Sequence, residues 1–340
     1  MAGIIFSKSS GLNNSVYGNS AEPIKFFMEM QAKSKDQISI AEKVFKPVES
    51  DAWAYKLGGM TGYAEDFEPS DEGGEYPLNE RQEAYSKTII PVTWKSSFVI
   101  TQEMVEDQKV IDVKRTGAAA FIDKYHTGRE RFASALLVGG ISATTATYSG
   151  RAFDTTTADG VKLFSTAHTS ISGNAANQSN LYANAFSTDA LGMISTAMTQ
   201  YLDDQGEILT VTPDTIVIPN NYTLKKAVFE AVGSDKDPDT ANNGFNFLFG
   251  SWRVIVSPYL NPGITTYNTP YFIMDSKYCD YNDCLLWVNR IPLTVKSDID
   301  QNTDNNVWRG RARFSAGFFD WRGISVGGIA EGALAATTLS

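Results

Sequence analysis

Residues 111–138 read IDVKRTGAAAFIDKYHTGRERFASALLV, and this is the stretch from which the fold can be worked out. Apolar residues recur in it at roughly helical spacing, while charged residues occupy the other face. A helix from Ile111 to Leu137 would be about 40 Å long, which is unusual in a globular domain. The sequence therefore predicts one extended helix over about 111–137, and the run GGISATTATYSG at 139–150 predicts its end.

An acidic segment precedes this helix. Residues 65–83, EDFEPSDEGGEYPLNERQE, hold eight acidic residues and one basic residue, Arg81. Strand-like runs flank it at 53–64 and 86–100, so we predict a long hairpin with an acidic tip over 51–98. Such a hairpin has too few apolar residues to be stable alone, and we expect it to rest on a neighbouring subunit. The candidate interface residues here are Glu65, Asp66, Glu68, Asp71, Glu72 and Glu75.

Helical and strand patterns alternate after the long helix. A helix is predicted over 187–206, with Thr188 as its N-cap and Gly206 at its end, and a second helix is capped by Thr223. Four short apolar runs predict strands: DTIVIP, WRVIVSP, YFIMDS and CLLWVN. This alternation predicts a compact α/β domain over about 187–290.

The C-terminal part contains a strand with three arginines at alternate positions. Arg309, Arg311 and Arg313 are predicted to share one face, because side chains alternate along a strand. They could bind DNA phosphates, or pair with acidic residues of the same or a neighbouring subunit. The acidic balance of the chain favours the second reading, so these arginines are also candidate interface residues.

Overall charge and cysteine content exclude several classes of protein. The chain has 29 Lys+Arg and 39 Asp+Glu, a net charge of −10, which argues against a general nucleic-acid binder. Cys279 and Cys284 have no second pair, so no zinc ribbon is predicted, and two cysteines are typical of a protein made in a reducing cytoplasm. We predict no signal peptide, membrane span, P-loop or dinucleotide-binding motif, and no cofactor.

The segment GVKLFSTAHT at 160–169 raises the question of catalysis. Ser165 lies three residues before His168, and the chain has one other histidine, His126. A hydrolase needs a nucleophile on a strained turn and an oriented base, and no G-x-S-x-G motif is present. We therefore predict no catalytic residue, and expect His168 to be a structural or surface histidine.

Two Asp/Asn-rich stretches invite comparison with calcium-binding loops. DIDQNTDNNVWR at 298–309 and DKDPDTANNGFN at 235–246 lack the glycine at the sixth position and the glutamate at the twelfth. We therefore predict no metal site.

The order of these parts resembles the tailed-phage major capsid fold of the Hong Kong-phage type, an α+β fold shared with encapsulins. The resemblance implies an N-terminal arm over 1–50, an E-loop hairpin over 51–98 and a P-domain over 99–186 containing the long spine helix. It further implies an α/β A-domain over 187–290, and return strands of the P-domain over 291–340.

Local motifs are similar to those of the Mu-type major head subunit group. The segment GVKLFSTAHT, followed by NQSNL at 177–181, resembles a G-x-x-L-F-S-x-x-H…N-L pattern. DDQG, TPDTIVIP, VIVSPYL and RARFSAGFFDWR then follow in the same order as in that group. By this resemblance, Ser165 and His168 belong to a structural segment.

The resemblance also implies function and partners. Copies would assemble as hexamers and pentamers into an icosahedral virion shell around double-stranded DNA, without sequence-specific binding or a membrane. A portal protein would replace one pentamer, and assembly would take place in the host bacterial cytoplasm. A separate scaffold, a maturation protease or a decoration protein could take part. Some relatives carry Lys–Asn crosslinks, but nothing local marks the hairpin lysines Lys56 and Lys87 as reactive.

Two alternatives stay open at this stage. An encapsulin-like compartment shell would share the fold but enclose an enzyme. A soluble hydrolase would use Ser165 and His168, and it would lose activity on substitution of that histidine. A surface adhesin is disfavoured, because we find no signal peptide.

Overall fold

The computed structural model describes residues 40–63, 69, 72, 78, 81–101, 110–173, 175–233, 246, 248–263, 270–300, 305–330 and 338–339. Most of the acidic segment and the N-terminal 39 residues lie outside these ranges. In the part that is described, helices and strands are mixed along the chain, as predicted.

The helices and strands are numbered here in chain order. The helices are α1 (Ile40–Val44), α2 (Val110–Ser142), α3 (Thr188–Thr199), α4 (Tyr222–Gly233) and α5 (Ser276–Tyr281). The strands are β1 (Lys46–Glu49), β2 (Tyr55–Met60), β3 (Glu83–Ile89), β4 (Val92–Ile100), β5 (Thr145–Tyr148), β6 (Arg151–Asp154), β7 (Thr215–Pro219), β8 (Arg253–Ser257), β9 (Tyr271–Met274), β10 (Leu285–Ile299), β11 (Asn306–Phe318), β12 (Ile324–Gly327) and β13 (Thr338–Leu339). A 3₁₀ helix covers Pro258–Gly263.

The strands form four sheets. The largest has the order β1-β10-β11-β4, and we call it the central sheet. A second sheet, with the order β12-β9-β7-β8, carries the α/β part of the chain. Strands β13, β5 and β6 form a third sheet, and β2 pairs with β3 in a two-stranded hairpin.

One face of the central sheet packs against the long helix α2. Gly310 on β11 lies so close to Phe121 of α2 that a Cβ there would be 2.5 Å from the ring. Next to this contact, Trp308 is buried and stacks on Phe98 of β4 with 6.1 Å between ring centroids. The even-numbered positions of β11 therefore face the helix, which leaves the odd-numbered positions for the opposite face.

Aromatic side chains fill the space between the middle of α2 and the central sheet. Phe314 stacks on Trp94 at 5.0 Å and on Trp287 at 5.1 Å, and Phe132 of α2 meets Trp94 edge to face at 5.2 Å. The guanidinium of Arg129 lies 5.0 Å over the ring of Trp287. Large rings of this kind contribute much of the buried apolar surface of a core, so this cluster fixes α2 on the sheet.

The short helix α1 is tied to α2 by charged side chains. Arg129 is almost fully buried and pairs with Glu42 at 2.7 Å. The backbone N–H of Ala41 donates to Glu130 Oε1 at 3.2 Å. These two contacts explain where α1 is held.

The predicted end of the long helix at about residue 137 was wrong, because α2 continues to Ser142. Gly139 and Gly140 lie inside the helix, where they allow close packing. A Cβ on Gly139 would be 2.4 Å from Cβ of Ala146, and one on Gly140 would be 2.9 Å from Cβ of Leu163. Strand β5 and residues 160–169, which we call the 160s segment, pack against this turn. Their packing thus outweighs the low helix propensity of glycine.

The observed hairpin is shorter than the predicted one, because its second strand, β3, ends at Ile89, whereas the predicted hairpin continued to residue 98. β2 pairs with β3, but residues 92–100 form the separate strand β4, which joins β11 in the central sheet. Pro91 lies at the boundary and has no backbone N–H to donate to a ladder. The run at 86–100 is therefore two strands that belong to two different sheets.

The α/β part agrees with the predicted order, and its helix ends differ. The N-cap of α3 is Ser187, whose side chain accepts from the N–H of Ala190, so Thr188 is the first helical residue. The helix ends at Thr199 and not at Gly206, because a turn closed by the Leu202–Ile208 bridge follows it. Asn221 caps α4 in place of Thr223, accepting from the N–H of Thr223 at 3.0 Å.

Residues 284–289, the run CLLWVN, were predicted as a strand of the α/β domain, but they do not join its sheet. Residues 285–289 begin the long strand β10, which pairs with β1 and β11 in the central sheet. One edge strand of the α/β sheet is instead β12, which pairs with β9, and the other is β8. No helix in the described ranges is both long enough and apolar enough to span a bilayer.

Candidate functional site

His168 lies in the interior of the protein and has a partner at each ring nitrogen. Its Nδ1 is 2.7 Å from Oδ2 of Asp159, and its Nε2 is 3.2 Å from Oδ1 of Asn180. The imidazole stacks on the indole of Trp321, and the side chain is 1% exposed. His168 is therefore a structural histidine, and the alternative of a surface position was wrong.

Asn180 is the centre of this network. Its Nδ2 donates to the carbonyl oxygens of Leu163 at 2.8 Å and Ile324 at 3.0 Å, while its Oδ1 accepts from the N–H of Ser165 at 3.0 Å. One buried amide thus joins the 160s segment to strand β12. Since a buried polar group without partners is costly, each of these bonds holds the others in place.

Asp159 is the charged member of the network. Burial would raise the pKa of its carboxyl group, but hydrogen bonds from His168 and Thr157 hold that pKa below its ordinary value. The backbone N–H of Val161 donates to the same side chain at 3.0 Å. The carboxylate is stabilised as the ion by these donors, which is the environment of a structural anchor.

Ser165 and His168 are close in sequence but do not form a nucleophile–base pair. Ser165 Oγ accepts from the N–H of Ala167 at 3.2 Å, and no hydrogen bond among the described residues joins it to the imidazole. Both ring nitrogens of His168 already face Asp159 and Asn180. This arrangement does not activate a hydroxyl, so the geometry gives no support to a Ser/His hydrolase.

The base of the hairpin is anchored by Lys87. Its ammonium group donates to Asp154 Oδ2 at 2.5 Å, Thr156 Oγ1 at 2.6 Å and the Thr156 carbonyl oxygen at 2.8 Å. The side chain is 10% exposed, whereas Lys56 on the paired strand β2 is exposed. Lys87 therefore fixes β3 to the region of β6.

A cavity of about 400 Å³ separates the hairpin from the α/β part. Its floor includes Arg322, which pairs with Asp204 at 3.0 Å and Asp320 at 3.3 Å. Burial works to lower the pKa of Arg322, but the two carboxylates hold it above its usual value. The three groups are held as ions in a fixed arrangement, with one net negative charge.

The face of the central sheet opposite α2 is strongly cationic. Arg309, Arg311 and Arg313 share this face, as the alternation predicted. Arg311 lies directly opposite Lys95 on β4, and Arg309 lies directly opposite Lys296 on β10. We call these five residues, Lys95, Lys296, Arg309, Arg311 and Arg313, the cationic face.

Counter-charge on the cationic face is sparse within the described ranges. Arg309 pairs with Asp298 at 3.1 Å, and both side chains are about 60% exposed. The buried Nε of Arg313 has no hydrogen-bond partner among the described residues. Like charges directly opposite each other in a sheet are destabilising, so this surface is suited to an external anionic partner.

Most of the predicted acidic interface residues lie outside the described residues: Glu65, Asp66, Glu68, Asp71 and Glu75. Glu72 is described and exposed. The structure brings the three arginines together, and it adds Lys95 and Lys296, which the sequence analysis missed. No sequence signal pairs these lysines with the arginines, because the pairing depends on strand register.

Across the described ranges, no three His, Cys, Asp or Glu side chains lie together in a way that could hold a metal ion. Much of the two Asp/Asn-rich stretches, residues 235–245 and 301–304, lies outside the described residues.

Comparison with known proteins places this geometry in context. Residues 84–326, more than half of the chain, match the family described as "Phage capsid protein". No curated protein matches the sequence.

Several solved structures share the fold. The capsid of Ralstonia phage GP4 has a TM-score of 0.53 at 10% identity, covering 84% of this chain and 86% of the other. The capsid of a native GTA particle has a TM-score of 0.51 at 15% identity, covering 88% and 90%. A structure from Mycobacterium phage Patience has a TM-score of 0.51 at 9% identity, covering 94% and 89%. At these identities the likeness shows a common fold.

Proposed function

The chain belongs to the phage capsid protein family and is a major capsid shell protein, and from this premise we propose that its copies assemble as hexamers and pentamers into the icosahedral head around the phage's double-stranded DNA. It acts as a structural protein of the virion, without catalysis. Assembly takes place in the host bacterial cytoplasm, and a portal protein replaces one pentamer. A scaffold, a maturation protease and a decoration protein remain additional candidate partners.

The proposal extends to the subgroup and to the five-part division of the chain. The motif residues of the Mu-type pattern support the subgroup, because Leu163, Phe164, Ser165, His168 and Asn180 are all buried around one hydrogen-bonded network. Such a pattern describes a packing requirement of the fold. We assign residues 1–50 to the arm, 51–98 to the E-loop, 99–186 to the P-domain, 187–290 to the A-domain and 291–340 to the return strands.

The observation that carries the assembly proposal is the cationic face in a chain of net charge −10. Two direct cross-strand pairs of like charge, Arg311 with Lys95 and Arg309 with Lys296, cost stability in the isolated subunit. An anionic partner would offset that cost. The acidic segment 65–83 of a neighbouring copy has the matching charge, with eight acidic residues against Arg81.

Two other anions could pair with the cationic face in place of the neighbouring copy's acidic segment. One is DNA phosphate, and the other is the acidic segment 65–83 of the same subunit. A charge-swap experiment separates the three. Variant one carries R309E and R311E, and variant two carries E72K and E75K. Each alone should form shells poorly, because the attraction between the face and the segment is weakened: the face falls from +5 to +1 in variant one, and the segment falls from −7 to −3 in variant two. The doubly substituted control K225E/K226E, on the exposed side of α4, should assemble normally.

Mixing the two variants gives the decisive result. In a mixture, the intact segment of variant one meets the intact face of variant two, and the substituted residues of the two variants are again opposite in charge. Shells seen by electron microscopy in the mixture, but in neither variant alone, would support pairing between subunits. Failure of the mixture, with recovery when all four substitutions are in one chain, would indicate pairing within a subunit. If variant one formed shells of normal appearance that do not retain DNA, phosphate would be the favoured partner of the cationic face.

A further inference from the structure

The two cysteines of the chain lie in contact at the C-terminal end of helix α5. The backbone N–H of Cys284 donates to the carbonyl oxygen of Cys279 at 3.2 Å, and Asp283 between them has a φ of +54°. A bond spanning five residues, with a left-handed residue just before its donor, is the Schellman ending of a helix. This ending turns the chain back so that the side chains of its first and last residues meet.

The sulphur atoms converge on one glycine. A Cβ on Gly323 would be 2.6 Å from Sγ of Cys279 and 2.8 Å from Sγ of Cys284. The Cys279 thiol donates to the Gly323 carbonyl oxygen at 3.3 Å, and the two thiols are also within hydrogen-bonding reach of each other. Gly323 therefore leaves the space in which both sulphurs lie side by side.

Burial slows the oxidation of this pair. Cys279 is 4% exposed and Cys284 is fully buried. Burial raises the pKa of the Cys284 thiol well above its usual value, and the neighbouring Cys279 raises it further. Since the thiolate is the reactive form, oxidation has to wait for local opening of the turn.

We propose that Cys279 and Cys284 are a latent dithiol that closes to an intramolecular disulfide when the folded protein meets a disulfide oxidant. The thiolate of one cysteine attacks a sulphur of oxidised glutathione, and one reduced glutathione leaves. The second cysteine then attacks the protein sulphur of the mixed disulfide and releases the second glutathione. The two glutathione molecules take both electrons and both thiol protons, and the new S–S bond joins the end of α5 to the residue preceding β10.

The test is a redox titration of the full chain with oxidised and reduced glutathione, in native buffer and in urea. After acid quenching, the free thiols are alkylated. The mass of the peptide 278–290, which contains both cysteines, is then measured by mass spectrometry. We expect a disulfide-containing peptide that is lighter by two hydrogen atoms than the unmodified reduced peptide. Half of the native chain should contain this disulfide at an about tenfold lower ratio of oxidised to reduced glutathione than the chain in urea. The fold holds the partners together, which raises their effective concentration.

The single-thiol variants C279S and C284S serve as controls and should show, at most, a glutathione adduct. Glutathione adducts that accumulate independently on both cysteines of the native chain would overturn the proposal. So would a native titration midpoint equal to, or more oxidising than, the midpoint in urea. The wild-type comparison does not depend on whether either variant folds.

Discussion

The imidazole of His168 lies parallel to the indole of Trp321, with 4.4 Å between ring centroids and 8° between the ring planes. Trp321 itself meets Tyr201 edge to face at 5.2 Å. Three distant parts of the chain are thus joined by one stack of rings. A substrate has no access to this imidazole, because the side chain is fully buried and both ring nitrogens face protein groups.

We predict that His168→Ala lowers the free energy of unfolding by roughly 2–4 kcal/mol, since it removes a buried ring and one of the hydrogen bonds to Asp159. Ser165→Ala should cost only about 0.5–1.5 kcal/mol, because a single hydrogen bond to Ala167 is lost. Urea denaturation of the unassembled chain measures both. Equal effects on stability, with an esterase activity abolished by either change, would instead favour the hydrolase hypothesis.

Stability should fall in acid, and Asp159 should account for part of the loss. Its pKa in the folded protein lies below the ordinary value of 3.8, so the unfolded chain takes up the proton first as the pH decreases. The stabilisation is present above about pH 4 and is lost as the pH falls through the folded-state pKa. Asp159→Asn should therefore be less stable than wild type at pH 7 and show a smaller loss between pH 5 and pH 3. Urea midpoints at these pH values provide the check. If Asp159→Asn lost as much stability between pH 5 and pH 3 as wild type does, Asp159 would not account for part of the acid loss.

The largely buried ammonium group of Lys87 should control the docking of the hairpin. Lys87→Met removes three hydrogen bonds, and we expect amides of β3 to exchange hydrogen at least about tenfold faster, which reports local opening. Lys56→Met, on the exposed side of β2, is the matched control and should leave exchange unchanged. In wild type, Lys56 should react with an amine-acylating reagent well before Lys87. Rapid acylation of Lys87 in the native protein would show that its anchoring is weak.

Gly310 should tolerate no side chain. In Gly310→Ala the added methyl group would lie 2.5–2.7 Å from the ring of Phe121, so α2 or the ring has to move, at a cost of roughly 1–3 kcal/mol. Gly58→Ala on the hairpin is the control, because no atom lies within 4 Å of the corresponding position. Thermal unfolding of the two variants compares them directly, and similar melting temperatures would show that the contact of α2 with β11 can relax.

The sequence predicted features that depend on local periodicity. The extended helix and the one-sided arginines of β11 followed from spacings of 3.6 and 2 residues, and the structure confirms both. The exact helix ends failed where a neighbouring side chain or packing contact decided the matter. Gly139 and Gly140 looked like helix breakers, yet their role depends on Ala146 and Leu163, which pack against them.

The candidate interface shows the same division. Alternation alone indicated that Arg309, Arg311 and Arg313 share a face, but not which strands lie beside them. Lys95 is more than two hundred residues away in sequence from Arg311, and strand register brings them opposite each other. The partners of His168 were equally hidden, because Asp159 and Asn180 are ordinary loop residues until the chain folds around them.

The continuation of α2 through its two glycines also has a mechanical consequence. The helix is a single rod of 33 residues, about 50 Å long, whose C-terminal turn is held where β5 and the 160s segment approach its backbone. The rod is held both at this turn and along its middle, and a tilt of one degree displaces one of its ends relative to the other by about 1 Å. Internal pressure on a shell would accordingly be felt as torque at Gly139 and Gly140, where the absence of side chains leaves backbone packed directly on its neighbours.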